Sequence, residues 1–240
     1  MNFLNIKKEN DLCWVYLNRP DAMNALNNEL LRELTEFNHN LKNDLDTKVV
    51  IYSGEGENFS AGADIKENIS FGSSLEAWRS NFGKPAVMSF LEINQITIAA
   101  VNGFCLGGAA CFVSACDFRI ATEDALLGYP EINLGMNLNW FGLPLALRLV
   151  GPSKAKRLVI GGENETATTL MNWGFYDEVC KKEHLIKGAE RMANFYASKS
   201  ALPAQMIKRS VNAITYNSDL AAMHMDLSLI HISEPTRPER

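Results

Sequence analysis

The N-terminal part of the chain alternates between short apolar runs and one amphipathic segment. A continuous apolar run at residues 12–17, LCWVYL, predicts a strand that is covered on both faces. Residues 28–42 place their apolar side chains on one stripe at helical spacing, which predicts a helix. A second β-rich run follows at residues 49–52. The order strand, helix, strand is typical of a parallel sheet with helical crossovers.

The rest of the chain continues this alternation. Residues 96–101 predict a buried strand, residues 109–116 a closely packed helix, and residues 117–121 and 125–128 two short strands. The segment NGFCLGG between the first two predicts a turn. Helical periodicity then recurs at 143–150, 153–160, 166–173, 184–198 and 203–214.

This pattern predicts a single domain. No stretch rich in Pro, Gly or Ser divides the chain, and no segment repeats. We therefore predict one α/β domain over residues 1–227, with mostly parallel strands and right-handed crossovers. Its helices from about residue 140 onward form a peripheral layer.

Composition mainly excludes certain partners and kinds of site. The 240 residues carry a formal net charge of −5 without long basic runs, which argues against a nucleic-acid partner. None of the four histidines has a metal-ligand spacing, so we expect neither a metal site nor a Ser-His-Asp enzyme. No apolar run reaches the roughly 18 residues of a membrane span, and the N-terminus lacks a signal-peptide pattern.

The five cysteines indicate a compartment. Their number is odd, they contain no CxxC pair, and most lie inside apolar runs. Reduced, buried thiols fit this pattern better than a disulfide framework does. We expect a cytoplasmic protein that does not associate with a membrane.

Two glycine-containing loops are candidates for a binding site. They are FSAGAD at residues 59–64 and NGFCLGG at residues 102–108, which lies between a predicted strand and a predicted helix. Glycine lets backbone approach a ligand closely, and a helix N-terminus presents free N–H groups. Two such groups aimed at one oxygen would form an oxyanion hole. From the pattern alone, two tight turns are the plainer interpretation of these glycines.

Glu131 is the candidate acid/base. It follows a predicted short strand and Pro130, and it stands between apolar residues. Such surroundings disfavour the charged carboxylate, which suits proton transfer near neutral pH. A glutamate that simply starts a helix or lies on the surface is the plainer interpretation. Four aromatic residues are candidates for an apolar pocket or for the core: Trp78, Phe82, Trp140 and Phe141.

Five ordered blocks match one family. They are LNRPDAMNAL (17–26), FSAGADIKE (59–67), IAAVNGFCLGGAACFVSACDFRIAT (98–122), LGYPEINLG (127–135) and LRLVGPSKAKRLVIGG (147–162). With these blocks the chain resembles the crotonase superfamily, also called the enoyl-CoA hydratase/isomerase family, over about residues 10–215. The resemblance implies a ββα spiral core with peripheral C-terminal helices.

The resemblance also implies the chemistry. The substrate would be an acyl-CoA thioester, with no further cofactor and no metal. The backbone N–H groups of Ala63 and Gly108 would hold the thioester oxygen and stabilise an enolate, and Glu131 would move the proton. Further implied substrate-binding positions are Ala22, Met23, Ala61, Asp64, Ile65, Lys66, Cys111 and Asn139. Lys66 would contact a phosphate of coenzyme A. The resemblance further implies a homotrimer or a dimer of trimers.

One departure from the family pattern shapes the prediction. Hydratases of this family use two glutamates, and Cys111 stands at the first of these positions, three residues after Gly108. A thiol is a poor substitute for a carboxylate that must deprotonate water. One glutamate suffices to move a proton between two carbons, so we favour double-bond isomerisation over hydration. Hydration proper and the decarboxylating or hydrolytic chemistry of other family members remain alternatives.

Two interpretations of other classes stay open. A non-catalytic acyl-CoA binder or scaffold would retain the fold without turnover, and a thiol enzyme would use Cys111 as its nucleophile. The C-terminus is a second departure, because Pro235 and Pro238 interrupt any helix there. We predict that residues 228–240 are an atypical tail of possible non-native origin.

Overall fold

A computed structural model describes residues 1–67 and 81–222 of the chain. Within those residues nine strands form two sheets. The strands are β1 Leu4–Glu9, β2 Leu12–Leu17, β3 Val49–Gly54, β4 Ile96–Val101, β5 Phe104–Leu106, β6 Phe118–Thr122, β7 Leu126–Gly128, β8 Asn164–Thr166 and β9 Glu178–Cys180. The α-helices are α1 Asn28–Asn40, α2 Gly83–Glu92, α3 Gly108–Ala115, α4 Gly142–Gly161, α5 Ala167–Asn172, α6 Leu185–Ala197 and α7 Ala201–Ala222.

The larger sheet is covered on both faces. Its strand order is β1-β2-β3-β4-β6-β9, and every pairing except β1 with β2 is parallel. Successive residues of β3 point to opposite faces: Val50 and Tyr52 join the cluster that includes α1 and α3, whereas Val49 and Ile51 pack with α6. Burial on both faces explains the continuous apolar runs and confirms the prediction of a mostly parallel sheet.

The smaller sheet positions the site. Strand β7 lies between β5, with which it pairs in parallel, and β8, with which it pairs antiparallel. The segment that contains β5 was predicted as a turn only, because three residues between glycines are too few to show an alternating pattern. Residues 104–106 form a strand because they pair with β7, more than twenty positions further along the chain.

Other elements differ from the sequence prediction in understandable ways. Strands β1, β8 and β9 carry charged residues and are short or at a sheet edge, so their apolar pattern is weak. Helix α2 begins at Gly83 and includes Pro85, two residues that usually punctuate helices. The division predicted between 143–150 and 153–160 is confirmed within α4, since the backbone leaves helical geometry at Gly151 before Pro152 and separates two helical parts.

The remaining predictions concern termini and cysteines. All five cysteines are unbonded, and four of them are buried. In the described part of the chain, no helix combines the length and the apolar character needed to cross a membrane. Trp78 and the tail at 228–240 lie outside the described residues.

A buried ion pair fastens α7 to the larger sheet. The Nζ atom of Lys208 lies 2.7 Å from Oδ2 of Asp117 and donates to the carbonyl oxygen of Gln95 at 2.7 Å. The same Asp117 oxygen accepts hydrogen bonds from the N–H and the hydroxyl of Thr97. The lysine side chain is only 4% exposed, so its removal leaves a carboxylate without a counterion in a poorly solvated place.

We therefore expect Lys208→Met to lower the free energy of unfolding by about 3 kcal/mol. The matched control is Lys42→Met, because the Lys42–Glu92 pair is exposed at 47% on both sides and should contribute less than about 1 kcal/mol. Urea denaturation monitored by circular dichroism measures both. Equal losses in the two variants would contradict a special role for the buried pair.

Candidate active site

Three segments meet at one edge of the smaller sheet. Strands β5 and β7 run in parallel, so the segments that follow them, which begin at Gly107 and Tyr129, emerge side by side. The loop at residues 59–64 lies along the other side of β5, where Ser60 bridges Cys105. The Ser60 N–H donates to the carbonyl oxygen of Phe104, and the Leu106 N–H donates to that of Ser60. The sheet therefore brings both glycine loops and Glu131 together, although they are distant in sequence.

A cavity of about 420 Å³ opens between these segments. Nine of the residues predicted for the site line it: Ala22, Met23, Ala61, Ala63, Asp64, Ile65, Lys66, Gly108 and Glu131. Lining residues that the sequence analysis did not single out include Pro130, Leu134 and Met136. The apolar character of these three fits a site that holds a hydrophobic chain beside Glu131.

The N–H groups of Ala63 and Gly108 are free to bind a ligand. Leu26 donates to the carbonyl oxygen of Gly62 and accepts from the N–H of Asp64, so Ala63 between them turns its own N–H away from Leu26. Gly108 is the first residue of α3, where no turn precedes it to accept its N–H. Within the described residues neither N–H donates a hydrogen bond.

Glycines permit the close packing around Gly108. A Cβ atom on Gly107, which has a φ of 55°, would lie 2.9 Å from Oε1 of Glu131. A Cβ on Gly108 would lie 2.1 Å from Cζ3 of Trp140. The Glu131 carboxylate and the Trp140 indole thus flank consecutive glycines, and both glycines line the cavity that the two loops share.

The Glu131 carboxyl is poorly solvated. It lies in the short 3-10 helix Pro130–Leu134 after β7. Its Oε2 atom is fully buried and accepts no hydrogen bond from any described residue. Because burial disfavours the charged form, the pKa of Glu131 rises to about 7. A carboxyl with this pKa exchanges its proton readily at neutral pH, which is what an acid/base needs.

Burial of Glu131 also makes the stability of the protein depend on pH. Its pKa is 4.5 when unperturbed and about 7 in the folded protein, so the folded state holds the proton more tightly. The resulting contribution is fully present below pH 4.5 and is lost as the pH rises through about 7, with a limit of about 3 kcal/mol.

We expect the Glu131→Gln variant not to lose this stability as the pH rises. Urea denaturation of both proteins at pH 5 and pH 8.5 should show similar stabilities at the lower pH. At the higher pH the variant should be more stable by about 2–3 kcal/mol. If the two proteins lose stability in parallel, Glu131 is not the group that titrates.

Two predicted binding residues do not line the cavity. Cys111 is 1% exposed, and its Sγ atom lies 2.6 Å from the position of a Cβ on Gly142. Asn139 is half-buried outside the cavity, and its N–H donates to the carbonyl oxygen of Asn137. A cysteine enclosed in this way is inaccessible to a substrate in the described structure, which weighs against a thiol nucleophile at Cys111.

The aromatic candidates take different places. Phe141 is fully buried and adopts a φ of 64°, which bulky residues rarely do. Phe82 and Trp140 are half-buried, and the indole also covers Gly83. Trp140 is a predicted pocket or core residue, but no sequence pattern places it on Gly108. That contact joins the segment before α4 to the first residue of α3 across 32 positions of the chain, so no local pattern indicates it.

Comparisons with known proteins agree on one family. The family model described as Enoyl-CoA hydratase/isomerase matches residues 7–236. The short-chain-enoyl-CoA hydratase of Clostridium acetobutylicum is 34% identical over 214 residues, which are 88% of this chain and 82% of that protein. The crotonyl-CoA hydratase of Syntrophomonas wolfei is 35% identical over 211 residues, covering 86% of this chain and 80% of the relative.

Solved structures give the same answer for the fold. The chain superimposes on an enoyl-CoA hydratase/isomerase from Xanthobacter autotrophicus with a TM-score of 0.88 and 30% identity, covering 97% of this chain and 89% of that one. An enoyl-CoA hydratase from Bacillus anthracis gives a TM-score of 0.84 at 29% identity, covering 91% and 87%. These matches confirm the predicted crotonase fold with its C-terminal helices. The chain is therefore a member of the enoyl-CoA hydratase/isomerase (crotonase) family of enzymes.

Proposed function

We propose that the protein isomerises the double bond of an enoyl-CoA, with Glu131 as its acid/base. The observation that carries this is the contact of Glu131 with Gly107, directly beside the free N–H of Gly108. A thioester oxygen held by the N–H groups of Ala63 and Gly108 would place the adjacent carbons near the carboxyl. Each such donor typically stabilises the transition state by about 3 kcal/mol.

The proton transfer needs only one carboxylate. Glu131 removes a proton from C2 of a 3-enoyl-CoA, and the electrons of that C–H bond delocalise into a dienolate whose negative oxygen the two N–H groups hold. The protonated Glu131 then returns the proton to C4, and the double bond forms between C2 and C3. Atoms and charge balance without a water molecule, which a second carboxylate would have to activate.

Hydration of a 2-enoyl-CoA is the second candidate, because the relatives from Clostridium and Syntrophomonas are named as hydratases. Cys111 argues against it, since this thiol stands where family hydratases carry a glutamate and is buried outside the cavity.

Matched substrates separate these functions. The protein is incubated with a 3-enoyl-CoA or a 2-enoyl-CoA of the same chain length, and the products are identified by mass spectrometry. Isomerisation conserves the mass, whereas hydration adds one water. Faster turnover of the 3-enoyl substrate supports the proposal, and faster hydration of the 2-enoyl substrate overturns it. Tight binding of coenzyme A without turnover of any thioester would support a binding protein instead.

We also propose how the rest of coenzyme A is held. Residues 61–66 and the neighbouring Ala22 and Met23 all line the cavity, so the chain of coenzyme A would run along this wall. Lys66 is exposed at the mouth, where an ammonium group can meet a phosphate. The unbonded cysteines support the reducing, cytoplasmic location expected from the sequence.

The proposed assembly is a homotrimer or a dimer of trimers. An exposed apolar stripe on α7 supports association, since such a surface is unfavourable in water. Its residues are Leu202, Met206, Ile207, Val211 and Ile214. Light scattering coupled to gel filtration should give three or six times the chain mass of 26.7 kDa. A mass of one chain would overturn the proposal.

A further inference from the structure

Two neighbouring segments of the cavity wall, residues 23–26 and 61–64, form a short parallel ladder. The Ala61 N–H donates to the carbonyl oxygen of Met23 at 2.9 Å, and the Leu26 N–H donates to that of Gly62 at 2.8 Å. The Asp64 N–H donates the third bond of the ladder, to the carbonyl oxygen of Leu26 at 3.1 Å. The direction of the Ala63 N–H therefore depends on how residues 23–26 are held.

Arg19 ties the two sides of this ladder together. Its Nη1 atom donates to the carbonyl oxygen of Ala25 and to Oδ2 of Asp64, the latter at 2.9 Å. The other oxygen of Asp64 accepts the N–H of Lys66 at 3.1 Å. Asp64 lines the cavity, but both its oxygens are engaged in holding the turn that carries Ala63.

The backbone before the ladder is held in an unusual conformation. Met23 and Asn24 have φ values of 49° and 53°, a left-handed region that residues other than glycine rarely adopt. The fully buried Asn24 side chain donates to the carbonyl oxygens of Glu55 and Asn58, and its oxygen accepts the N–H of Arg19. Such a conformation persists only where surrounding contacts impose it, so this segment is preset before a ligand binds.

We propose that Arg19 and Asp64 are a positioning pair that aims the Ala63 N–H at the thioester oxygen. This inference rests on the proposed function, since it deepens the role of the oxyanion hole. Arg19 lines no part of the cavity and acts through Asp64 and Ala25. The two N–H bonds of Nη1 are fixed in the guanidinium plane and serve both acceptors in set directions, whereas a lysine ammonium rotates freely. Oxyanion donors stabilise charge effectively only when their geometry is fixed in advance.

A bound 3-ketoacyl-CoA tests this directly. Its enolate absorbs in the near ultraviolet, and the pH at which it forms on the protein reports how strongly the N–H groups hold the oxygen. In Arg19→Met and Asp64→Ala we expect that pH to rise by at least one unit and kcat to fall at least tenfold. The dissociation constant of coenzyme A should change less than threefold. Asp64→Asn still accepts the hydrogen bond of Arg19 and should recover most of the loss.

The matched control is Arg157→Met. Arg157 donates to the buried Glu165 at 2.7 Å, and this arginine–carboxylate pair lies between α4 and β8 and lines no part of the cavity. The Arg157→Met variant should have a lower thermal stability, but the pH at which the enolate forms should not change. If the Arg19 and Asp64 variants behave like this control, the pair is only structural and the proposal is wrong.

Two other outcomes are distinct. Coenzyme A binding that weakens tenfold in Arg19→Met, with enolate formation unchanged, would make Arg19 a ligand contact and would also overturn the positioning role. A wild-type protein that binds no 3-ketoacyl-CoA would overturn the proposed function itself. If the wild-type protein binds 3-ketoacyl-CoA and the variants form the enolate at the same pH as the wild type, only the role of the positioning pair is overturned.

Discussion

Replacing Glu131 by glutamine should reduce kcat by roughly 10²–10⁴-fold while changing KM little. Glutamine keeps the size of the side chain and its packing against Gly107, but it can neither take nor give a proton. Binding should persist because the backbone N–H groups and the cavity walls are unaltered. Steady-state kinetics with a 3-enoyl-CoA measure both parameters.

The pH profile gives an independent signature of the same residue. Proton removal from C2 requires the carboxylate, so kcat/KM of the wild-type protein should rise with pH and level off above about 7, the pKa of buried Glu131. The residual activity of Glu131→Gln should show no such rise.

A buried glutamate elsewhere provides the control. Glu165 pairs with Arg157 and lines no part of the cavity, so Glu165→Gln should keep kcat within about twofold. Full activity of Glu131→Gln on every acyl-CoA tried would contradict the mechanism. An unchanged pH profile in that variant would show that another group moves the proton.

The sequence predicted the elements of this site better than their contacts. Apolar periodicity located β2, β3, β4 and α1, because each pattern is local and long enough to count. Glycine-containing loops marked flexible backbone, and the family blocks then assigned Ala63, Gly108 and Glu131. The apolar neighbours of Glu131 in the sequence predicted a disfavoured charge, but local patterns could not show which contacts bury it, because these follow from the pairing of β5 with β7 and from the approach to Gly107.

Arg19 shows the same limit. It stands in the quoted block LNRPDAMNAL, but its partner Asp64 is 45 residues away, and no spacing rule links the two. The resemblance implied that Asp64 binds substrate. In the structure its carboxylate lies at the cavity wall and accepts hydrogen bonds from the Arg19 side chain and from the backbone N–H of Lys66. The positions of a family's residues can thus be read from a chain more readily than the neighbours that orient them.

Adding a methyl group at Gly108 should be the second most damaging change. A Cβ there would lie 2.1 Å from Cζ3 of Trp140, closer than side chains approach. The indole is itself pressed against Gly83, where a Cβ would lie 1.7 Å from Cε2, so it has little room to retreat. We expect the backbone at Gly108 to move, and its N–H with it.

Loss of one well-placed oxyanion donor lowers kcat by about 10²–10³-fold, and we expect Gly108→Ala to reach the lower end of this range. Overpacking against Trp140 should also lower the free energy of unfolding by about 1–3 kcal/mol. Enzyme kinetics and urea denaturation measure the two effects separately.

Two further variants distinguish displacement of the N–H from general damage. Gly161→Ala is the control, because a Cβ at Gly161 meets no atom within 4 Å, and it should leave activity and stability near wild type. Gly108→Ala combined with Trp140→Ala removes the obstructing ring, so part of the lost kcat should return even though the core loses packing. A Gly108→Ala variant with wild-type kcat would show that this N–H does not hold the substrate oxygen. Failure of the double variant to recover kcat would instead indicate that the added methyl group blocks the cavity itself.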